Sequence, residues 1–305
     1  MHQDDSAFPA SLLTAIRRTV AEVGDRFGEI TRIHTVGGGS ISRAFVLESG
    51  YGKMFVKVNA ADQAELFTAE ADGLAALATC PALCVPRVIG LGTQDEHAYL
   101  ILDHFTLLPL RKTADSISAG RALASLHGMR GPSFGWHRDN FIGSTPQCNT
   151  PHTAWPDFFA TRRLRPQLAL ADQHGASTRL IDHGQQLAER LGALFDDHCP
   201  AASLLHGDLW YGNAAVALNH RLVLFDPAVY FGDREADLAM CELFGGFPDD
   251  FFTAYQQASP LPTGYARRKT LYQLYHVLNH FNLFGGGYHG QAERMIDKLL
   301  ADCGA

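Results

Sequence analysis

The chain has 305 residues, of which 46% are hydrophobic and 19% are charged, and its net charge is −7 at pH 7. This composition is typical of a folded globular protein, and the negative charge excludes a general attraction to nucleic acid or to anionic lipid. The length suits one large domain or two lobes around a cleft, and we expect two lobes.

The sequence contains no run of roughly 20 apolar residues that could span a bilayer, and its first residues lack the pattern of a signal peptide. We therefore expect a soluble, cytoplasmic protein with no membrane partner and no nucleic-acid partner. The six cysteines are scattered along the chain, which predicts reduced thiols rather than a disulfide framework. The sequence does not determine the oligomeric state, and we expect a monomer or a weak homodimer.

The N-terminal part of the chain predicts a small α+β lobe. Apolar residues recur at helical spacing at its start, and short strand patterns separated by tight turns follow. The predicted elements are a helix over 10–27, strands over 30–36, 44–48 and 53–58, a helix over 62–78, and strands over 85–90 and 98–102. We expect the five strands to form an antiparallel sheet in a nucleotide-binding lobe of residues 1–103.

The rest of the chain changes to long helical patterns. Helices are predicted over 116–127, 154–170, 178–195, 233–244, 249–257, 265–283 and 291–301. Residues 128–151 hold Gly, Pro, Ser, Asn and Trp without a clear period, which predicts a long loop or a lid. We therefore expect a larger, mainly helical C-terminal lobe of residues 104–305 that carries the catalytic and substrate-binding residues.

The segment 206–213 carries the clearest chemical pattern. Four residues separate Asp208 from Asn213, and the following pattern predicts a β-hairpin that ends just before Asp226. Phosphoryl transfer from ATP requires a carboxylate that orients the acceptor hydroxyl and oxygen ligands that hold Mg²⁺. The spacing and the hairpin match the catalytic loop and the second metal-binding carboxylate of kinases. The alternative is that these polar residues only cap a hairpin.

Candidate nucleotide-binding residues lie in the N-terminal lobe. Glycines in a turn between strands let backbone N–H groups approach phosphates, and a lysine on the next strand can reach the α- and β-phosphates. We expect Lys57 in this role, with Glu70 or Glu65 as its ion-pair partner. Glu70 is favoured because it shares a helix face with Leu74 and Leu77. The turn consists of Gly37, Gly38, Gly39 and Ser40. The structural alternatives are an ordinary hairpin turn and a solvent-facing lysine.

Further polar residues lie at predicted element boundaries. The backbone of Asp103 and Phe105, at the expected hinge, could bond adenine. Asp237, at the start of a predicted helix, could accept bonds from backbone N–H groups of the catalytic loop, which is a structural role. Asp233 and Arg234 are either the polar start of this helix or part of an acceptor pocket.

On these motifs the chain resembles fructosamine-3-kinase and the related ketosamine 3-kinases, within the protein-kinase-like and aminoglycoside-phosphotransferase-like fold. An HGD motif with a downstream Asn is shared with choline and aminoglycoside kinases, so it defines only the superfamily. The narrower resemblance lies in HGDLW, DPAVYFGDREADLAM and LNHFNLFGGGY. The matching strings occupy residues 37–42, 55–57, 205–213, 226–230, 232–240 and 278–288.

The resemblance implies that Asp208 is the catalytic base and that Asn213 and Asp226 hold Mg²⁺. It also implies that Lys57, paired with Glu70, holds the phosphates of ATP. The implied acceptor is the 3-hydroxyl of a ketosamine of fructosamine, ribulosamine or erythrulosamine type, in a deglycation repair activity on an amine or a protein. Candidate acceptor-binding residues are Trp210, Asp233, Arg234, His280 and Tyr288. Trp210 could instead be a core residue.

Two other functions remain open at this point. A kinase for an amino alcohol or an aminoglycoside would share every catalytic residue. A nucleotide-binding protein without catalysis is less favoured, because the lysine, the base and both candidate metal ligands are all present in the sequence.

Overall fold

The computed structural model describes residues 8–24, 28–37 and 41–304. The chain forms two compact units. The first contains the chain up to Ala78 together with Val85–Thr106, and the second contains Thr79–Cys84 together with the chain from Leu107 onward. The predicted N-terminal lobe of residues 1–103 differs from the first unit in two places, because the unit continues to Thr106 and leaves out the segment 79–84. This segment joins the second unit because Cys84 exchanges backbone hydrogen bonds with Leu222 and Leu224.

The first unit is a five-stranded antiparallel sheet with a helix on each face. In chain order its elements are α1 (Ala10–Glu22), β1 (Ile30–Val36), β2 (Arg43–Ser49), β3 (Gly52–Ala60), α2 (Ala64–Ala78), β4 (Val88–Gln94) and β5 (His97–Asp103). The strands lie in the order β1-β2-β3-β5-β4. The predicted sheet is therefore confirmed, and the predicted first helix ends earlier, at Glu22.

Alternation along β3 determines which face of the sheet each side chain occupies. Met54, Val56 and Val58 are buried against α1 in one apolar cluster. Phe55 packs in a second cluster with α2 on the opposite face. Because side chains alternate along a strand, Lys57 extends from the same face as Phe55, towards α2.

The second unit is mainly helical, as predicted. Its helices are α3 (Thr113–His127), α4 (Trp155–Phe159), α5 (Arg165–Gln173), α6 (Thr178–Arg190), α7 (Glu235–Leu243), α8 (Asp249–Ala258), α9 (Tyr265–Phe284) and α10 (Tyr288–Asp302). A π-helical turn, Ala160–Leu164, joins α4 to α5. The core of this unit includes Trp155, whose indole N–H donates to the hydroxyl of Tyr272 at 3.0 Å. Among the described helices, none is both long and apolar enough to cross a membrane.

Short strands hold the polar loops of the second unit in place. They are β6 (Leu107–Leu108), β7 (Asn140–Ile142), β8 (Thr145–Gln147), β9 (Ser203–Leu205), β10 (Ala214–Ala217), β11 (Leu222–Leu224) and β12 (Tyr230–Gly232). β10 pairs with β11 and β6, β9 pairs with β12, and β7 pairs with β8. The loop 206–213 therefore connects β9, which pairs with β12, to β10, which pairs with β11 and β6.

The segment 128–151 is irregular over most of its length, as predicted, and it includes a short β-hairpin. Its β7–β8 hairpin is held by buried hydrogen bonds to the rest of the unit. The Asn140 side chain donates to the carbonyl of Val229 at 2.7 Å, and Gln147 accepts from the Tyr275 hydroxyl at 2.7 Å. Strands of three residues are too short to give a readable alternation, which is why the sequence did not predict this hairpin.

Candidate active site

The loop 206–213 brings Asp208 and Asn213 together. It begins after β9 and ends in a short 3-10 turn at Asn213. The side-chain nitrogen of Asn213 donates to the backbone carbonyl of Asp208 at 2.9 Å and to its carboxylate Oδ2 at 3.3 Å. The Asp208 side chain is 23% exposed. The loop thus presents a partly accessible carboxylate whose rotation is limited by a neighbouring amide.

Asp237 anchors this loop from the first turn of α7. One carboxylate oxygen accepts the backbone N–H of His206 at 2.7 Å, and the other accepts that of Gly207 at 2.9 Å. The His127 ring also donates to Asp237, at 3.1 Å, and this bond ends on the same oxygen, Oδ2, that accepts the N–H of His206. Burial pushes the pKa of Asp237 upward, but the bond from His127 and the other donors outweigh it and hold the pKa below its usual value. The predicted structural role of Asp237 is confirmed.

Two further residues of the loop motif have roles that the sequence prediction missed. Gly207 has a φ of +84°, and a Cβ built on it would lie 1.9 Å from the carbonyl oxygen of Ala228. His206 is buried and donates from Nε2 to the carbonyl of Phe225 at 2.9 Å, while its Nδ1 accepts the N–H of Asp208 at 3.3 Å. Burial lowers the pKa of His206, so its ring is neutral and can donate one hydrogen bond and accept another.

Asp226 follows the β10–β11 hairpin, as predicted. The residue before it, Phe225, donates its N–H to the carbonyl of Asn213 at 3.3 Å, so the hairpin returns the chain to the end of the loop 206–213. Asp226 itself has a φ of +55°. Left-handed backbone is uncommon outside glycine and is often found at functional sites. The fold therefore holds an exposed carboxylate in a restricted conformation beside Asn213.

The electrostatic surroundings favour the protonated form of Asp208. Burial, followed by the charges of Asp226 and Asp237, raises its pKa to about 7, and the bond from Asn213 opposes the rise. A general base works best when its pKa lies near the working pH. Asp208 therefore meets a chemical requirement for accepting a proton from a hydroxyl group.

Asn213 and Asp226 carry the kinds of oxygen donor that fit Mg²⁺. Both bonds that Asn213 makes to Asp208 use its amide nitrogen, which leaves the amide oxygen as the atom able to coordinate a cation. Asp226 adds a carboxylate, and Mg²⁺ prefers such oxygen ligands. A divalent cation here would also reduce the repulsion between Asp226 and Asp208.

In the first unit, the predicted ion pair between Lys57 and Glu70 is present. Lys57 Nζ lies 2.7 Å from Glu70 Oε1, and both side chains are largely buried. The lysine is therefore held on the α2 face of the sheet rather than extended into solvent. Of the predicted glycine-rich turn, Gly37 directly follows β1, and residues 38–40, which are Gly38, Gly39 and Ser40, lie outside the described residues.

The expected hinge residues lie at the end of β5. Asp103 bonds the guanidinium of Arg87 at 3.2 and 3.3 Å, and its backbone N–H donates to the Arg87 carbonyl at 3.0 Å. Phe105 follows in irregular backbone and is partly buried. An adenine contact at this position would therefore use backbone groups of residues 104 and 105 rather than the Asp103 N–H.

Asp233 and Arg234 have the contacts of a helix start. Asp233 is buried, accepts the N–H of Glu235 at 3.0 Å and accepts the hydroxyl of Tyr272 at 2.6 Å. Arg234 donates to the Tyr255 hydroxyl at 3.0 Å, and that hydroxyl lies 2.8 Å from the ring of His127, which bonds Asp237. These contacts support the structural alternative for both residues and place Arg234 in the network that anchors the catalytic loop.

The same region contains three side chains that could be mistaken for a metal site. Ligand atoms of His198, Asp233 and Glu235 lie within 4.8 Å of one another. However, Arg268 donates to both carboxylate oxygens of Glu235 at 2.8 Å, and His198 donates to Asp233 at 2.7 Å. The cluster is therefore a buried hydrogen-bonded ion network that already contains its own cation.

The other acceptor candidates belong to a row of rings that we call the aromatic row, consisting of Trp210, Phe244, His280, Phe284 and Tyr288. Phe244 lies 6.4 Å from Trp210 and 4.9 Å from His280, and His280 lies 5.6 Å from Phe284 and 5.2 Å from Tyr288, between ring centroids. Trp210, Phe244 and Phe284 are 40%, 43% and 58% exposed. Trp210 is therefore not a core residue, and the row forms an accessible apolar surface that starts two residues after Asp208.

These features define a class of protein. A catalytic-loop aspartate with its asparagine, a carboxylate after a short hairpin, and a strand lysine paired with a helix glutamate are the parts of a phosphotransferase with a protein-kinase-like fold. The five-stranded antiparallel sheet and the helical second unit are the architecture of that class.

Comparison with known sequences gives the family. A family model described as fructosamine kinase matches residues 12–302, and the chain belongs to this family. The chain is 43% identical over 294 residues to a probable ketoamine kinase of Synechocystis, which covers 96% of this chain and 98% of that protein. It is 39% identical over 276 residues to a chloroplastic protein-ribulosamine 3-kinase of Arabidopsis thaliana, with 89% of this chain and 83% of that protein covered.

Solved structures agree with this assignment. A candidate fructosamine-3-kinase from Haemophilus somnus matches with a TM-score of 0.84 at 31% identity, covering 93% of this chain and 96% of that one. An aminoglycoside phosphotransferase crystallised with ADP and hygromycin B matches with a TM-score of 0.58 at 19% identity, covering 91% and 97%. The second similarity shows the fold alone. As a member of the fructosamine kinase family, the protein is a kinase.

Proposed function

We propose that the protein uses ATP and Mg²⁺ to phosphorylate the 3-hydroxyl of ketosamines of the fructosamine, ribulosamine or erythrulosamine type. The observation that carries this proposal is the geometry at Asp208, a partly exposed carboxylate that accepts a bond from Asn213 and is followed by the exposed ring of Trp210. Relatives named as ketoamine kinase and protein-ribulosamine 3-kinase support the choice of acceptor.

In the proposed reaction, Asp208 accepts the proton of the acceptor hydroxyl while the hydroxyl oxygen bonds the γ-phosphorus of ATP. The bond from that phosphorus to the β,γ-bridging oxygen breaks, and ADP leaves. Lys57, held by Glu70, bonds the α- and β-phosphates. Asn213 and Asp226 would hold Mg²⁺, which neutralises charge on the phosphates when it is bound.

The aromatic row is the proposed binding surface for the acceptor. Sugar rings and chains present C–H groups that pack on aromatic faces, and the exposed indole of Trp210 offers such a face next to the base. The nitrogen of a ketosamine is a secondary amine that is protonated at neutral pH, and aromatic faces attract cations. His280, Phe284 and Tyr288 extend the row beyond Trp210, so the amine-bearing part of the acceptor would lie along them.

A cytoplasmic location, a monomeric or weakly dimeric state and the absence of nucleic-acid and membrane partners remain predictions from the sequence. They agree with a small-molecule or glycated-amine substrate, but the proposed reaction does not depend on them.

A substrate panel tests the proposal. The purified protein is assayed with Mg²⁺ and ATP against ketosamines of four-, five- and six-carbon sugars on a blocked lysine, the matching free sugars, an amino alcohol and an aminoglycoside. ADP release gives the rates, and ³¹P NMR locates the phosphate. We expect turnover of the ketosamines alone, with the phosphate on C3. Turnover of the amino alcohol or the aminoglycoside alone would support the alternative kinase, and ATP binding without turnover would support a non-catalytic protein.

A further inference from the structure

A buried histidine on α9 has a ring nitrogen without a hydrogen-bond partner. His276 is 4% exposed, and its Nδ1 makes no hydrogen bond to any residue that the structure describes. The large majority of buried side-chain polar atoms in proteins are bonded, so an unpartnered one calls for an explanation. This atom lies 4.0 Å from Oδ1 of Asp208. That distance is too long for a hydrogen bond, but it makes the Asp208 carboxylate a candidate partner for the unbonded nitrogen.

The ring of His276 is neutral. Burial, together with the charge of His280, lowers its pKa to about 3, so it carries a single N–H at working pH. In the next turn of α9, the His280 ring donates to the backbone carbonyl of His276 at 2.8 Å. His276 therefore lies beside the proposed base and one helical turn before His280 of the aromatic row.

The two oxygens of Asp208 face different partners. Oδ2 accepts the amide of Asn213 at 3.3 Å, and Oδ1 faces His276 Nδ1. Hydrogen bonds of catalytic groups are often long before substrate binds and shorten in the complex. A movement of about 1 Å would bring Nδ1 and Oδ1 within bonding distance.

We infer that His276 is a positioning residue for Asp208: in the substrate-bound enzyme its Nδ1–H donates to Oδ1 and fixes the carboxylate that receives the hydroxyl proton. With Asn213 on one oxygen and His276 on the other, the carboxylate keeps one orientation, and its remaining lone pairs are directed at the acceptor. This inference rests on the proposed function in one respect, because it takes Asp208 to be the base.

Two substitutions separate positioning from packing. His276→Asn keeps an N–H donor near the position of Nδ1, whereas His276→Phe keeps a ring and removes the donor. We expect His276→Phe to lower kcat about tenfold, the effect of losing one hydrogen bond of ordinary strength, with the KM for ATP unchanged. His276→Asn should retain kcat within about threefold, since one donor replaces another.

A neighbouring residue supplies the matched control. Tyr275 is also buried on α9, and its hydroxyl donates to Gln147 at 2.7 Å rather than to Asp208. Tyr275→Phe should lower the melting temperature and leave kcat unchanged. If His276→Asn were as slow as His276→Phe while both remained folded, the ring would have only a packing role and the inference would be wrong.

A measurement without turnover tests the contact itself. Protein labelled with ¹⁵N in histidine is examined by NMR with Mg²⁺, a non-hydrolysable ATP analogue and a ketosamine, as the wild type and as Asp208→Ala. We expect a protonated Nδ1 on His276 whose chemical shift differs between the two complexes. An unprotonated Nδ1, or equal shifts, would overturn the inference. Failure of the wild type to phosphorylate any ketosamine would instead overturn the proposed function, and the two failures are therefore distinct.

Discussion

The two sides of the catalytic loop differ in how completely their polar groups are bonded. On the inner side, Asp237 accepts bonds from two backbone N–H groups and from His127, and all of these groups are buried. On the outer side, Asp208 is partly exposed, its pKa is raised, and the exposed ring of Trp210 follows it. The inner side sets the shape of the loop, and the outer side carries the proposed base and the proposed acceptor-binding ring. Substitutions on the two sides should therefore have different effects.

The largest effect is expected at Gly207, on the inner side. A Cβ at this position would lie 1.9 Å from the Ala228 carbonyl oxygen, and the φ of +84° strains any other residue. Gly207→Ala should lower the free energy of unfolding by about 3 to 5 kcal/mol, measured by urea denaturation, and abolish activity. Gly192→Ala is the matched control, because a Cβ there meets nothing within 4 Å. Equal stability of the two variants would contradict the close packing described for the loop.

Asp237→Ala should have the next largest effect. Removing this carboxylate leaves two buried backbone N–H groups and the His127 ring without their acceptor. We expect a loss of about 3 kcal/mol in the free energy of unfolding, together with lower kcat, because the loop loses its anchor. Differential scanning calorimetry and steady-state kinetics on the same preparation measure both. A variant with full stability and reduced kcat would mean that Asp237 acts in the chemistry instead.

On the outer side, Trp210→Ala should act on substrate binding without loss of stability. Removing an exposed indole face is expected to raise the KM for the ketosamine by about tenfold or more, with the KM for ATP unchanged. Leu218→Ala is the control, since Leu218 is the most exposed large apolar residue of the second unit and lies outside the aromatic row. Equal acceptor KM values in the two variants would remove Trp210 from the acceptor site.

Lowering the pH should reduce activity gradually, with a smaller effect than these substitutions. Asp208 must be ionised to accept a proton, and its pKa is raised to about 7, so kcat/KM should fall about tenfold for each pH unit below that value. A bound cation favours the ionised carboxylate, so the acid limb of kcat at saturating Mg²⁺ and ATP should lie at lower pH than that of kcat/KM. Coincident limbs near pH 4 would show that Asp208 has an unperturbed pKa in the free enzyme.

Much of the outer side could be predicted from the sequence, because its residues follow one another at fixed spacing. Asp208, Asn213 and the hairpin before Asp226 lie within a single stretch of chain. The Lys57–Glu70 pair was also predictable, because side chains alternate along β3 and recur at helical spacing along α2. The assignments of these residues to base, metal ligand and phosphate binding remain proposals, although their positions agree with them.

Contacts that join residues far apart in the chain were harder to predict, on both sides of the loop. His127 lies on α3 and His276 on α9, and no local pattern in the sequence relates either residue to the catalytic loop. The left-handed φ of Asp226 is likewise set by tertiary packing. For Asp233 and Arg234 the sequence left two roles open, and burial among Tyr272, Tyr255 and other partners supports the structural one.

Asp208→Asn, assayed for kcat and for the free energy of unfolding at pH 8, tests the central claim most directly. A carboxylate whose pKa is raised in the folded state costs stability when it is ionised, so the neutral amide should leave the protein as stable as the wild type or more stable. Its kcat with a ketosamine should fall by about 10³-fold, because the proton acceptor is lost. A variant that is destabilised but retains its kcat would contradict the assignment of Asp208 as the base.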